Sequence, residues 1–297
     1  MMKTTAFMSS YGKMYKEDPG TDIIKYFKDD GFMGCEADHY GFKVIRNDNP
    51  LEKAKELHER MLQEGIECSC YSRGAVLTRP GMVDELKSAV DVAVALGSPI
   101  LHHTLYINFS VKDLPLWDSL VDKFADAARE VAHYAGERGI TCVYENQGFL
   151  SHSADRLGEF LAKVDMPNTG INFDIGNALY GDADPYEIAA KLGSHIKYVH
   201  IKDLLVKPFD KLPTTVKGWT RTPLGNAVRP TIIGHGVIDF DKIFTTLLLA
   251  GYDGYYSIEH GVREDDNHTS LMESLNNMKA YYESARENLV KRGLIAE

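Results

Sequence analysis

An amphipathic stretch that ends in glycine and runs at once into a short β-rich segment recurs along this chain. No other feature restricts its fold so strongly. The pattern spans Asp30 to Glu36, Glu64 to Tyr71, Leu96 to His103, Arg138 to Ile140, Leu192 to Ile196 and Ala250 to Tyr255, with its glycines at Gly31, Gly65, Gly97, Gly139, Gly193 and Gly251. Glycine in the left-handed conformation closes a helix and opens a tight turn into a strand. With an opening strand over Thr4–Ser10 and another ending at Asp174, the reading gives eight strands. Helices are expected between them, over roughly 20–30, 50–64, 82–96, 113–138, 153–164, 184–192, 239–250 and 268–291. Such alternation means a parallel sheet with helices outside it. Eight units with polar residues at the strand ends favour closure into an α/β fold of the (β/α)8 TIM-barrel type. No linker or low-complexity segment divides the chain, so one domain over residues 1–297 is expected. Its exception to even spacing is a long loop at about 203–236 after the seventh strand.

Composition narrows the partners. Apolar content of 44% supports a large core, and no apolar run approaches the roughly 18 residues that a membrane span needs. The opening Met1 to Met8 is too short and polar for a secretory signal and reads as a first strand. Cys35, Cys68, Cys70 and Cys142 lie in strand-like runs without paired metal-ligand spacing. They read as reduced thiols of a cytoplasmic protein. A formal charge of −10 argues against a nucleic-acid partner.

Four short apolar runs in the second half each close on a polar residue: Ile140–Glu145, Gly170–Asp174, Ile196–His200 and Tyr255–Glu259. Charged groups at the ends of buried strands are costly unless paired. Glu145, Asp174, His200 and Glu259, converging at the C-terminal mouth of a barrel, make a cage for one divalent ion. Oxygen-rich ligation with one nitrogen suits Mn²⁺ first, with Mg²⁺ or Co²⁺ as alternatives, and Zn²⁺ also accepts this donor set. Glu145 and Glu259 also suit a two-base device. One removes the proton next to a carbonyl, the metal stabilises the enediolate, and the other returns a proton to the opposite face.

Together, Glu145, Asp174, the His200–Asp203 segment, the Gly234–Gly236 turn and Glu259 resemble the sugar phosphate isomerase/epimerase superfamily, the xylose-isomerase-like TIM barrels. That group includes ketose 3-epimerases, inosose isomerases and dehydratases, and the endonuclease IV repair enzymes. The resemblance covers essentially the whole chain. It implies that Glu145, Asp174, His200 and Glu259 are the metal ligands and that Glu145 and Glu259 are the acid/base pair. Two departures stand out. The ketose 3-epimerases carry a substrate-binding His three residues after the metal Asp and an Arg six after the metal His, where this chain has Asn177 and Val206. The repair enzymes need an Asp-x-His pair that the segment after His200 lacks.

The substrate is expected to be a small sugar, keto-sugar or cyclitol. Substrate contacts are expected from Lys202, two residues past His200, and from Asn177, Glu36, Tyr71 and His103 near strand ends. Alternation along a strand lets only one of His102 and His103 face inward, with His103 taken as that one. Arg73 lies in the same set. The stretch from Lys202 to Gly236 carries Lys207, Lys211, Lys217, Trp219, Arg221 and Arg229 against Asp203 and Asp210. It is expected to act as a lid, with Trp219, Arg221 and His235 reaching the substrate, or to make a contact within a homo-oligomer or with a small partner subunit. The expected activity is a metal-dependent isomerase or epimerase. A lyase using the same enolate is the alternative, of the inosose dehydratase or C-glycoside deglycosidase kind. A DNA-processing or non-catalytic barrel ranks below both.

Overall fold

Parallel strands cannot be joined by a tight turn and need a crossover, usually a helix. The computed structural model shows that alternation, and it describes residues 1–18, 20–39, 49–108, 110–259, 261 and 267–296. Strand β1 (Lys3–Ala6) leads through a 3₁₀ turn at Met8–Tyr11 to α1 (Gly12–Glu17) and α2 (Ile23–Asp29). Strand β2 (Gly34–Asp38) precedes α3 (Pro50–Glu64), and β3 (Glu67–Arg73) precedes α4 (Met82–Ala95). Next come β4 (Ile100–His103) with α5 (Trp117–Gly136), and β5 (Thr141–Glu145) with α6 (Ala154–Val164). Strand β6 (Thr169–Asp174) is followed by α7 (Asn177–Tyr180) and α8 (Pro185–Leu192). After β7 (Ile196–Ile201) come β8 (Asp203–Pro208), β9 (Thr220–Arg221), β10 (Asn226–Thr231) and α9 (Phe240–Leu249). The last unit is β11 (Tyr255–Ile258) with α10 (Asn267–Lys291).

The eight-stranded parallel sheet runs β1-β11-β7-β6-β5-β4-β3-β2. A parallel bridge between Phe7 and Glu36 joins its two outer strands. The result is a (β/α)8 barrel, as the alternation predicts.

Local chemistry explains the unit boundaries. Asp22, Asp184 and Asp239 cap helices by accepting from the backbone N–H of Lys25, Tyr186 and Lys242. Five of the six punctuating glycines have positive φ, between 68° at Gly97 and 78° at Gly31. Gly193 departs from the pattern: its φ is −52° and a 3₁₀ turn, not a left-handed cap, leads into β7. Helix α6 shows how the outer layer is held. Leu157, Phe160, Leu161 and Val164 form one buried stripe, and Phe160 packs edge-on against Tyr144 with ring centroids 4.9 Å apart. Each such buried side chain contributes about 1.5–3 kcal/mol. Inside the barrel, Cys70, Val143 and Tyr198 form a separate apolar floor, with Ile100 and Tyr255 against it.

The stretch expected as a loop after the seventh strand is instead largely an antiparallel ribbon. Strand β10 pairs with β8 from Asn226–Pro208 to Thr231–Asp203, and with β9 at Ala227–Arg221 and Val228–Thr220. Its root is Asp203, fully buried, whose carboxylate accepts from the backbone N–H groups of Leu204, Gly234, Gly236 and Ile238 at 2.8–3.3 Å. A Cβ at Gly236 would overlap that carboxylate, which explains the glycine there. At the other end, Asp182 accepts from Thr222 Oγ1, the Leu224 N–H and Asn226 Nδ2 at 2.7–2.9 Å.

Removing the root should therefore free the ribbon first. Asp203→Ala leaves four backbone donors without their acceptor and is expected to cost about 3–5 kcal/mol. Amide exchange over 203–231 should rise before that of the barrel strands. Unchanged exchange there would show that the ribbon is held by something else.

Candidate active site

Because side chains alternate along a strand, register decides which residues share the barrel interior. Asp174 lies beside His200 in register, Ser72 beside His102, and His102 beside Val143. Together with β11 and β2, these strands bring Glu36, His102, Glu145, Asp174, His200 and Glu259 to one place. One donor atom each from Glu145, Asp174, His200 and Glu259 lies within 4.8 Å of all the others. Glu36, His102 and His200 form a second group within the same limit.

His200 is the hub. Its Nε2 lies 3.0 Å from Glu36 Oε1, and its Nδ1 lies 3.4 Å from Glu145 Oε1, 3.9 Å from Asp174 Oδ2 and 4.0 Å from Glu259 Oε2. Asp174 is aimed by the turn that follows it. The N–H groups of Gly176 and Asn177 donate to Oδ1 at 2.9 and 3.0 Å, and Oδ2 faces the cluster. Asn177 Nδ2 donates to Glu145 Oε1 at 3.0 Å, and His102 Nε2 lies 3.2 Å from Glu145 Oε2. Lys202 sends its ammonium to 2.6 Å from both Asp174 Oδ2 and Glu259 Oε2. Its stem crosses Gly176, where a Cβ would lie 2.5 Å from Lys202 Cγ.

Electrostatics reflect the crowding. Burial pushes Asp174 well above the usual carboxylate range, with Glu259 and Glu145 adding and Lys202 and His200 opposing. Burial alone would raise Glu145 too, but the charges and hydrogen bonds of His102 and His200 hold it well below that range. For Glu259 the same penalty is outweighed mainly by Lys202, and the group ends lowered. Burial disfavours charge on His200 and Lys202, yet the surrounding carboxylates raise both.

The donor set fits a divalent cation. Among the described residues, Glu36, Glu145, Asp174 and Glu259 share one ammonium, Lys202, and two imidazoles, His200 and, at Glu145, His102, which leaves the cluster short of positive charge. A divalent ion supplies that charge, and three carboxylates with one imidazole are oxygen-rich ligands suited to such ions. Above the cluster lies a cavity of about 950 Å³, lined among others by Phe7, Lys13, Asp38, His102, Glu145 and Glu259. That is ample for a small carbohydrate, since ligand cavities run to roughly 300–1,000 Å³.

The structure corrects several expectations for the cavity wall. His103 faces outward, and His102 faces in. In register His103 lies beside Tyr144, whereas His102 lies beside the inward Val143. The His103 ring packs edge-on against Tyr144, with its Nδ1 3.0 Å from the Thr104 carbonyl. Tyr71, in register with Ala37 and Leu101, also points away, and its hydroxyl meets His39 Nδ1 at 2.9 Å. Trp219 packs against Lys207, whose Nζ is 5.6 Å from the ring centre, and Arg221 packs over Phe209 at 4.8 Å. Both stacks are made within the ribbon and neither side chain lines the cavity. His235 is exposed and pairs with Glu273 on α10 at 3.0 Å. Glu36 is fully buried below the cavity. Lys202 and Asn177 do reach the cluster. Sequence reading passed over Ser72, Ser257 and Asn172, and strand parity counted back from Glu145, Asp174 and His200 would have found Asn172.

A model of the xylose isomerase-like TIM barrel family matches residues 24–281. An inosose dehydratase of Bacillus cereus (strain AH820) is 26% identical over 244 residues, spanning 77% of this chain and 78% of that protein. Among solved structures, an L-ribulose 3-epimerase superposes with a TM-score of 0.73 at 18% identity, over 100% of this chain and 99% of the other. The IOLI protein with a binding zinc atom does so at 0.73 and 14%, over 96% and 99%.

Two outcomes follow from this geometry. Lys202→Met removes the ammonium that neutralises Asp174 and Glu259. Denaturant unfolding of metal-stripped protein should show a loss of about 2 kcal/mol, the half-exposed Glu259 contributing less than buried Asp174. Burial pushes His103 down to about 4. The unfolded chain, with a histidine near ~6.5, binds the extra proton between those values. Stability should therefore fall as pH drops from about 6.5 to 4, by about 3 kcal/mol at full effect. His103→Gln should flatten that part of the stability–pH curve, and an unchanged slope would contradict the assignment.

Proposed function

The chain belongs to the xylose isomerase-like TIM barrel family, and we propose that it is a divalent-metal-dependent isomerase or epimerase of a sugar, keto-sugar or cyclitol. The observation that carries this reading is the pair Glu145 and Glu259. Both line the same cavity, both converge on the His200 and Asp174 cluster, and both are held below the usual carboxylate range. Carboxylates kept ionised at one bound carbon are bases ready to accept a proton.

Glu145, Asp174, His200 and Glu259 would hold the ion, with Mn²⁺ favoured and Zn²⁺, found in the IOLI protein, compatible with the same donors. When bound, the ion polarises the substrate carbonyl and stabilises negative charge on its oxygen. The chain's own residues move the proton. One glutamate carboxylate takes the hydrogen from the carbon next to the carbonyl. The C–H bond breaks, an O–H bond forms on the carboxylate, and the electron pair spreads onto the carbonyl oxygen. The other glutamate, after taking a proton from solvent in the cavity, returns a hydrogen to that carbon from the opposite side and is left ionised again. Lys202 Nζ, beside Asp174 and Glu259, is placed to donate to a substrate hydroxyl, and Asn177 keeps Glu145 oriented.

A lyase is the second reading, supported by the inosose dehydratase relative at 26% identity. It shares the first step. The electron pair then expels a β-hydroxyl, which leaves as water with a proton from the second carboxylic acid.

Incubation of metal-loaded protein with ketoses, inososes and 3-keto-glycosides in D₂O, followed by NMR, tests both. Deuterium entering the position next to the carbonyl without net loss of water supports the isomerase or epimerase. An alkene product supports the lyase, and no exchange with any of these substrates contradicts the shared step. Glu145→Gln or Glu259→Gln should lower turnover by about 10³-fold or more, since general acid–base catalysis contributes roughly 10²–10⁴-fold and both groups are also proposed ligands. Near-normal turnover by Glu259→Gln would remove the two-base mechanism.

A further inference from the structure

We infer that Glu36 is the positioning residue for the metal centre: its buried carboxylate holds a proton on Nε2 of His200 and turns Nδ1 toward Glu145, Asp174 and Glu259 as the nitrogen that gives its lone pair to an ion. The inference rests on the metal-centre reading above and concerns a residue that does not touch substrate.

Glu36 lies two residues before the end of β2 and has no exposed surface. Its carboxylate is surrounded by donors from three other strands. Ser72 Oγ of β3 and His200 Nε2 of β7, the latter at 3.0 Å, reach Oε1, and Ser257 Oγ of β11 donates to Oε2 at 2.5 Å. An imidazole nitrogen next to a carboxylate that already accepts two hydroxyls can only contribute an N–H. Nδ1 is then the nitrogen left to face the three candidate ligands, and its proton is the one a bound ion would displace. Metal-binding histidines are commonly oriented in this way, by a carboxylate on the nitrogen remote from the ion.

The surroundings fix the ring rather than merely filling space. Phe7, His102 and Tyr198 each meet it edge-on, with centroids 4.8, 5.2 and 5.6 Å away. Asn172 Nδ2 is 3.0 Å from Nδ1 and 3.1 Å from Nε2, so it favours neither tautomer. Glu36 carries the charge, and charge-assisted hydrogen bonds are about twice as strong as neutral ones, so its contact selects.

Geometry also disfavours the rival use of these residues. Glu36, His102 and His200 lie close enough together to hold an ion of their own. Their donor atoms are already committed, however. Both Glu36 oxygens accept hydrogen bonds, His102 Nδ1 meets Ser72 Oγ at 2.9 Å, and His102 Nε2 faces Glu145 Oε2 at 3.2 Å.

The test titrates metal-stripped protein with Co²⁺ and reads visible absorption. Glu36→Gln should weaken Co²⁺ binding by about 10–100-fold and alter the absorption bands, since losing such an outer carboxylate typically costs that much affinity. Glu36→Asp, which keeps the charge on a shorter stem, should recover part of the affinity. Should Glu36→Gln not fold, long-range ¹H–¹⁵N spectra of the Zn²⁺-loaded wild type give the same answer, with the His200 proton expected on Nε2. Wild-type affinity and unchanged bands in Glu36→Gln, or a proton on Nδ1 of His200, would overturn this inference and leave the metal reading standing. A wild-type protein that binds no Co²⁺ would overturn both.

Discussion

Excess buried negative charge at the mouth of the barrel is the constraint from which the other features of the site follow. Among the described residues, four carboxylates lie within ion-pair reach of two imidazoles and one ammonium. Charges removed from water must be compensated, or their protonation equilibria shift until the charge is gone. Both responses are visible here. Asp174, the most enclosed of the three candidate carboxylate ligands, is pushed toward its neutral form, whereas Glu145 and Glu259 stay ionised beside His102, His200 and Lys202. A barrel built only for stability would place apolar side chains at these positions, as it does one layer below with Cys70, Val143 and Tyr198. Polar strand ends above an apolar floor divide the interior into a part that holds the fold and a part that carries chemistry.

Much of this was legible in the sequence because two periodicities coincide. Glycine-closed helices mark the units, and the last polar residue of four successive apolar runs marks the strand ends that meet. Glu145, Asp174, His200 and Glu259 are found that way, and the structure brings them together. The misplaced residues share one physical reason. Adjacent strand residues differ only in parity, and parity across a sheet depends on register, which a single strand does not reveal. His102 and His103 have nearly equal claims until β4 is aligned with β5. Glu36 reads as a residue near a strand end, but the strand continues to Asp38, and that extension lowers Glu36 from the cavity wall to a place beside His200. The ribbon is hidden for another reason: Pro208 ends β8, Pro230 interrupts β10, and β9 is only two residues long.

The relation between Glu36 and the cavity residues shows why so many polar groups can be buried at once. Hydroxyls of Ser72 and Ser257 occupy lone pairs of Glu36, and Ser69 Oγ meets Tyr198 OH at 2.8 Å in the same interior. Small hydroxyl side chains fit between strands where larger polar groups would not, and they satisfy a carboxylate without adding charge. The paired hydroxyls around Glu36 hold its carboxylate, and through it the ring of His200, in one orientation, which spares the imidazole a loss of orientational freedom when it binds an ion.

Strand parity also links the chemistry to the ribbon through a single tetrapeptide. In His200-Ile201-Lys202-Asp203, the first and third side chains enter the barrel, while Ile201 joins the outer core and Asp203 turns outward to gather the N–H groups of Gly234, Gly236 and Ile238. The residue that anchors the ribbon is thus next in sequence to the lysine that neutralises Asp174 and Glu259. Crowding at Gly236 would press on the Asp203 carboxylate and the Leu204 carbonyl, one and two residues past Lys202. The ammonium sits 2.6 Å from two carboxylates, so a shift of a few tenths of an ångström is felt there first. The ribbon can therefore influence the site without contributing a side chain to the cavity. In this arrangement, substitutions in its root are expected to disturb Lys202 and the charge balance it maintains, while those at Trp219 or Arg221 are expected to act on the ribbon's own stacking.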